Sequence, residues 1–125
     1  MSRASNGAIA EEIAIAHERL RLNMADRSVP KYVGNRRGIG FDIQSVNSDE
    51  DNAPRFIEVK SVTERGTLFL TKREILNLRA LGSFAWLYLV DIRKKRVVKV
   101  IQDPVGRLSM NSMAMAYRIN VQEIL

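Results

Sequence analysis

The sequence predicts an α/β fold, a mixed central sheet flanked by helices. Three observations predict it. Residues 8–24 repeat apolar side chains at helical spacing. Residues 39–46 and 55–62 alternate like half-buried strands. Residues 83–92 are apolar on both faces, as in a strand covered above and below.

The first helix is "AIAEEIAIAHERLRLNM", residues 8–24, after a short N-terminus, 1–7, read as flexible. Ser5 or Asn6 can cap its start. Ile9, Ile13, Ala16 and Leu20 form the stripe expected to face inward. Glu18 points away from that stripe, and Glu12 sits at its edge, where it can turn inward. His17, on the opposite edge, reads as ordinary packing or surface. Residues 26–38 are turn-like, with Pro30, Gly34 and Gly38. "IGFDIQSV" then sets Phe41 and Ile43 one way and Asp42 and Gln44 the other. "NSDEDNAP" is a polar connection whose acids read as a solvated turn. The return strand "RFIEVKSV" places Ile57 and Val59 on one face, Glu58 and Lys60 on the other.

"TERG" makes a further turn, and "TLFL" (67–70) a short third strand. "TKREILNLRALG" reads as a helix: Thr71 with Glu74 three residues later has capping-box spacing, and Gly82 ends it. Ile75, Leu76, Leu78 and Leu81 are expected to pack inward. In the covered strand that follows, Phe84, Trp86 and Tyr88 read as core rather than as a base-stacking platform. "RKKR" (93–96) is a hairpin tip leading into "VVKVIQ", and Pro104 stops that strand. The tail, 105–125, fits either a last strand or a helical return. With 125 residues and neither repeat nor low-complexity linker, residues 1–125 read as one domain.

Composition narrows the chemistry. There is no cysteine and one histidine, His17, so thiolate and multi-histidine zinc sites are excluded and a Ser-His-Asp triad is disfavoured. A metal here would be held by oxygen, which points to magnesium, manganese or calcium. The net charge of +6 suits a polyanionic partner. No apolar run reaches the roughly 18 residues of a membrane helix. "MSRASNGAIA" has no signal-peptide pattern, so a soluble cytoplasmic protein is expected, or a domain of a larger one.

Asp42, Glu58 and Lys60 are the residues that could carry chemistry. If the two strands pair as a hairpin, they share one sheet face. Two carboxylates there could bind a divalent cation, and a lysine beside them could position water or offset phosphate charge. The same residues also fit a solvated face with a cross-strand ion pair. Gly38 and Gly40 would allow close approach of a ligand, and Glu12 precedes them on the first helix. Arg36 and Arg37, just before the Asp42 strand, and Lys72 and Arg73, opening the second helix, are the basic residues placed to meet phosphate.

Asp42 followed by Glu58-Val59-Lys60 resembles the D…(D/E)xK motif of the PD-(D/E)xK nuclease superfamily, and the element order is similar to its restriction-endonuclease-like α-β-β-β-α-β core. "GFDIQS", "FIEVKS", "LTKREI", "WLYLVDI" and "QDPVGRL" resemble one branch more closely. That branch is the domain at the C-terminal end of the plant protein NO VEIN, which also occurs in bacterial helicases and restriction-type proteins. The resemblance runs over residues 8–122. It implies that Asp42, Glu58 and the Val59 carbonyl hold Mg²⁺ or Mn²⁺ and that Lys60 is the catalytic lysine of an endonuclease acting on nucleic acid, DNA first. It implies that Glu12 is the acid of the first helix, with Glu11 and Glu18 competing. Thr71 and Glu74 match the branch's "lT..E" motif, although capping remains their main reading. The proline of "PD" is replaced by Phe41. A helicase or restriction-system partner and a homodimer are family expectations. The alternatives are a non-cleaving module that binds nucleic acid or a partner, and a structural domain.

Overall fold

The computed structural model describes residues 3–23, 28–34, 40–108 and 116–125. Helix α1 (Arg3–Arg21) leads into a short strand β1 (Lys31–Tyr32), then β2 (Ile43–Val46) and β3 (Pro54–Ser61). Strand β4 (Thr67–Thr71), helix α2 (Lys72–Leu81), β5 (Ala85–Asp91) and β6 (Arg96–Gln102) follow. A single turn of helix, α3 (Pro104–Arg107), and β7 (Ala116–Asn120) complete the set. The class is α/β, as the sequence predicts. The central sheet has the order β1-β2-β3-β5-β6, with β3 and β5 parallel and the other pairs antiparallel. No helix among the described residues is long and apolar enough to cross a membrane.

Strand β5 explains the two-sided core. Ala85, Leu87 and Leu89 join one apolar cluster, with Ile75 and Leu78 of α2, while Trp86, Tyr88 and Val90 join the other, beneath α1. All seven residues are buried, which is why the segment lacks the alternation of a surface strand. On β3 the same alternation puts Ile57 and Val59 under α1. Removing a side chain such as Ile57 from water contributes roughly 1.5–3 kcal/mol. Glu58 and Lys60 pair with Leu87 and Leu89, and therefore point to the α2 side of the sheet.

Several expectations are corrected. In α1 the buried residues are Ala10, Ala14 and Glu18; Ile9 and Ile13 are half-buried, Ala16 is exposed and Leu20 is 90% exposed. Two alanines let the helix backbone approach the sheet closely, and this sets the rotation. That rotation drives Glu18 inward instead of away. Ser45 Oγ donates to Glu18 Oε1 at 2.8 Å, Tyr88 Oη to Oε2 at 2.9 Å and Arg21 Nε to Oε2 at 2.9 Å. Burial opposes the charge, but these partners outweigh it and hold the carboxyl below its ordinary range. Arg21 also donates to the Val46 and Asn47 carbonyls, so α1 is tied to the end of β2.

The strand at 67–71 forms and lies outside the central sheet. It pairs antiparallel with β7 in a separate ribbon, Phe69 opposite Arg118. The tail thus contributes a strand, and its partner is β4. Within the turn-like stretch, Lys31 and Tyr32 form an edge strand that the sequence did not announce. Leu76 is 45% exposed and Phe84 46% exposed, so neither is core; Trp86 and Tyr88 are. Phe84 lies in a helical turn between α2 and β5, before the covered strand begins.

Candidate functional site

Asp42 sits at the entrance to β2, one residue before the strand, and its backbone is held three ways. Its N–H donates to the Ile57 carbonyl at 2.9 Å, and its carbonyl accepts from Val33 and Gly34 at 2.7 and 3.0 Å. The carboxylate turns towards β3, where Oδ2 accepts the Val59 N–H at 2.8 Å. Phe41 does not share the face of Ile43, because the chain bends here. Its ring packs on Phe56 at 4.6 Å, while Ile43 lies beneath α1. Gly40, at φ +83°, makes that bend possible, and a Cβ there would stand 2.8 Å from Asn77 Nδ2. The close approach at Gly40 is thus to α2.

Lys60 Nζ donates to Glu74 Oε2 at 2.7 Å. The other oxygen of Glu74 accepts the Thr71 N–H at 2.9 Å, while Thr71 Oγ1 accepts the Glu74 N–H at 3.1 Å. The capping box at the start of α2 therefore forms, and it also fixes the partner of the lysine. Asp42, Glu58, Thr71, Arg73, Glu74 and Asn77 line one open groove of about 350 Å³, with Gly34, Gly40 and Phe41 at its border.

Electrostatics mark Glu58. Burial, the Asp42 charge and its contact with Glu74 push its carboxyl up to about 10. A carboxyl held that high carries its proton at neutral pH and faces the Asp42 and Glu74 carboxyls. Asp42 is also raised, by burial first, against the opposing Val59 N–H. Burial would raise Glu74 too, but the bonds from Lys60 and Thr71 win and lower it. Three acids thus share too little positive charge, although the whole chain is +6.

The sequence-derived candidates separate. Asp42, Glu58 and Lys60 are brought together. Glu12 is exposed, one position round the helix from the site, so its expected inward turn is not what the fold provides. Glu11 is the α1 acid closest in effect. Burial first, then the Asp42 charge, raises its carboxyl, and Tyr32 hydrogen-bonds to it. Glu18 is engaged in the α1 junction. Arg73 lines the groove, and Lys72 lies beside it, half-buried, at the helix start. Arg36, Arg37 and Gly38 lie outside the described residues. The basic hairpin tip is exposed, with Lys95 at φ +54° and Lys94 Nζ 3.9 Å from Glu64. Glu11, a competitor of Glu12 in the sequence reading, is the acid the fold brings within reach of Asp42. Tyr32 and Asn77 carry no signal in the sequence, because their roles arise from contacts between distant segments. Glu74 carried two signals, its spacing from Thr71, which reported the cap, and its match to the "lT..E" motif; neither named Lys60 as its partner.

Among the described residues no three acidic or histidine side chains form a ready metal cage. A Mg²⁺ site does not need one. It commonly uses one or two carboxylates and fills the remaining positions with water and phosphate oxygen. Asp42 Oδ2 accepts the Val59 N–H, and loss of the Glu58 proton would turn both carboxylates to an ion. The Val59 carbonyl leaves the strand on the same edge as its N–H, beyond the end of β2. Glu58 supplies oxygen once deprotonated. The donor set is all hard oxygen and fits such an ion.

No curated protein and no solved structure matches the chain. The family model described as Protein NO VEIN, C-terminal, matches residues 10–101. That span holds Asp42, Glu58, Lys60 and Glu74 and ends within β6. It covers most of the chain, and the chain therefore belongs to the family of the NO VEIN C-terminal domain.

Proposed function

We propose that this domain is a metal-dependent nuclease of the PD-(D/E)xK type that hydrolyses phosphodiester bonds in nucleic acid, DNA first. The observation that carries the reading is the convergence of Asp42 and Glu58 in one open groove, with Lys60 bonded to Glu74, which lines the same groove. Asp42, Glu58 and the Val59 carbonyl would hold Mg²⁺ or Mn²⁺. The ion would polarise the phosphate and acidify a water. Lys60 orients the attacking water and offsets charge growing on the phosphate oxygens. Glu74 fixes the lysine by its 2.7 Å bond. Arg73 and Lys72 meet flanking phosphates at the first turn of α2.

The test is cleavage of plasmid, single-stranded DNA and RNA with Mg²⁺ or Mn²⁺. Wild type is compared with Lys60→Ala and Glu58→Gln. Wild type cuts at least one substrate, and each substitution slows cutting by about 10²-fold or more. Cutting that survives both substitutions assigns the activity elsewhere. A folded protein that binds nucleic acid without cutting it is a binding module instead.

A further inference from the structure

Strand β4 alternates, with Thr67, Phe69 and Thr71 exposed and Leu68 and Leu70 buried. Its exposed face runs from one groove to another. Thr71 lines the groove of Asp42, Glu58 and Glu74. Thr67 and Phe69 line a second groove, of about 390 Å³, whose far wall includes Lys60 and Ser61. Lys60 reaches from that second groove to Glu74 in the first. Phe69 therefore lines the same groove as Lys60 and lies two residues along the strand from Thr71, or roughly 7 Å.

Phe69 is 45% exposed. Phe41, the aromatic on the other border, is already packed on Phe56. Phe69 instead has the guanidinium of Arg118, its cross-strand partner, 5.9 Å from the ring centre. A flat apolar face beside the cation of Arg118, with Lys60 lining the same groove, suits a group with a π-surface and an attached anion. A nucleotide with an unpaired base has both. A base inside a duplex offers only its edges to a groove, and its π-faces are covered by its neighbours.

We propose that Phe69, with Arg118, is a stacking ledge for an unpaired base next to the phosphate held at Asp42, Glu58 and Lys60. The inference rests on the nuclease reading for its substrate and adds the substrate class. The site takes single-stranded nucleic acid, or a duplex opened at that point, in preference to closed duplex.

The test uses fluorescein-labelled single-stranded dT12 and a blunt 12-base-pair duplex. Anisotropy is read in EDTA, so that binding is scored without cleavage. Wild type binds dT12 more tightly than the duplex. Phe69→Ala weakens dT12 by about tenfold, as expected for one lost stack, and moves the duplex by less than twofold. Phe69→Trp restores dT12 binding. Circular dichroism confirms that each variant is folded. Loss of both affinities in equal measure, or dT12 binding unchanged in Phe69→Ala, overturns the ledge. A wild type that is dimeric in sedimentation, becoming monomeric in Phe69→Ala with dT12 binding unchanged, makes the face a self-association surface and also overturns it. If wild type binds neither probe, both this inference and the nucleic-acid reading fail. Stacking that behaves as stated, in a protein that cuts nothing with Mg²⁺ or Mn²⁺, leaves the ledge standing and removes the nuclease.

Discussion

Glu74 joins two levels of structure through two oxygens. One caps α2 through Thr71 N–H, and the other holds Lys60. Substitution separates these roles. Thr71→Ala removes the cap hydroxyl and costs about 1 kcal/mol of stability, measured by urea unfolding, while Lys60 keeps its partner. Glu74→Gln leaves a side chain able to complete the box but removes the charge beside Lys60. Its stability also falls, because Lys60 is left half-buried without the carboxylate that pairs with it. On the proposed nuclease reading its cleavage rate falls about tenfold or more, further than that of Thr71→Ala. Equal rate losses in the two variants would show that the helix start, not the ion pair, governs the site. Glu58 yields a second prediction. With its carboxyl pushed up to about 10, it enters the metal-free protein protonated and must lose that proton to serve as a ligand. If Asp42 and Glu58 hold the ion proposed above, Mn²⁺ affinity rises with pH between about 6 and 9, the range below that raised value. Calorimetry at pH 7 in buffers of different ionisation enthalpy should find about one proton released per ion bound. Glu58→Gln releases none.

At the scale of elements, helix α1 shows how an apolar count misleads. The sequence offers Ile9, Ile13, Ala16 and Leu20 as a stripe, yet the sheet receives Ala10 and Ala14. Small side chains decide the contact because they permit the shortest distance between backbones. Ala14 is 0% exposed and Leu20 is 90% exposed. Ala14→Leu should thus cost about 1–3 kcal/mol by overpacking. Leu20→Ala should stay within about 0.5 kcal/mol, since that side chain is already in water. Thermal unfolding of the two variants checks the assignment, and the order of the costs would reverse if the predicted stripe faced the core.

At the scale of the whole molecule, Glu18 fastens the α1 layer to the sheet. It meets Arg21 on its own helix, Ser45 on β2 and Tyr88 on β5, with His17 3.9 Å away. Its lowered carboxyl contributes stability that is present above the ordinary 4.5. That stability is lost as pH falls from there through the lowered value, because the unfolded chain takes up the proton first. Urea unfolding between pH 7 and pH 3 should show this decline. Glu18→Gln should remove that part of the slope and cost about 3 kcal/mol at pH 7, because Arg21 is left in a half-buried site without its charge. An unchanged pH profile would place the acid sensitivity elsewhere.

What the sequence determined by itself was what depends on neighbours along the chain. Residue alternation placed Glu58 and Lys60 opposite Ile57 and Val59. The Thr71–Glu74 spacing marked the start of α2, and apolar residues on both faces marked β5 as the covered strand. The tertiary structure alone decided what depends on contacts across the chain. It turned α1 so that Glu18 is buried and Glu12 is not, and brought Glu11 within electrostatic reach of Asp42. It also gave Glu74 to Lys60 and took β4 out of the central sheet to pair with β7. The physical reason is one of range. Backbone periodicity and capping are fixed within a few residues, whereas the rotation of a helix and the charge balance of a buried acid are settled by the surfaces that meet it.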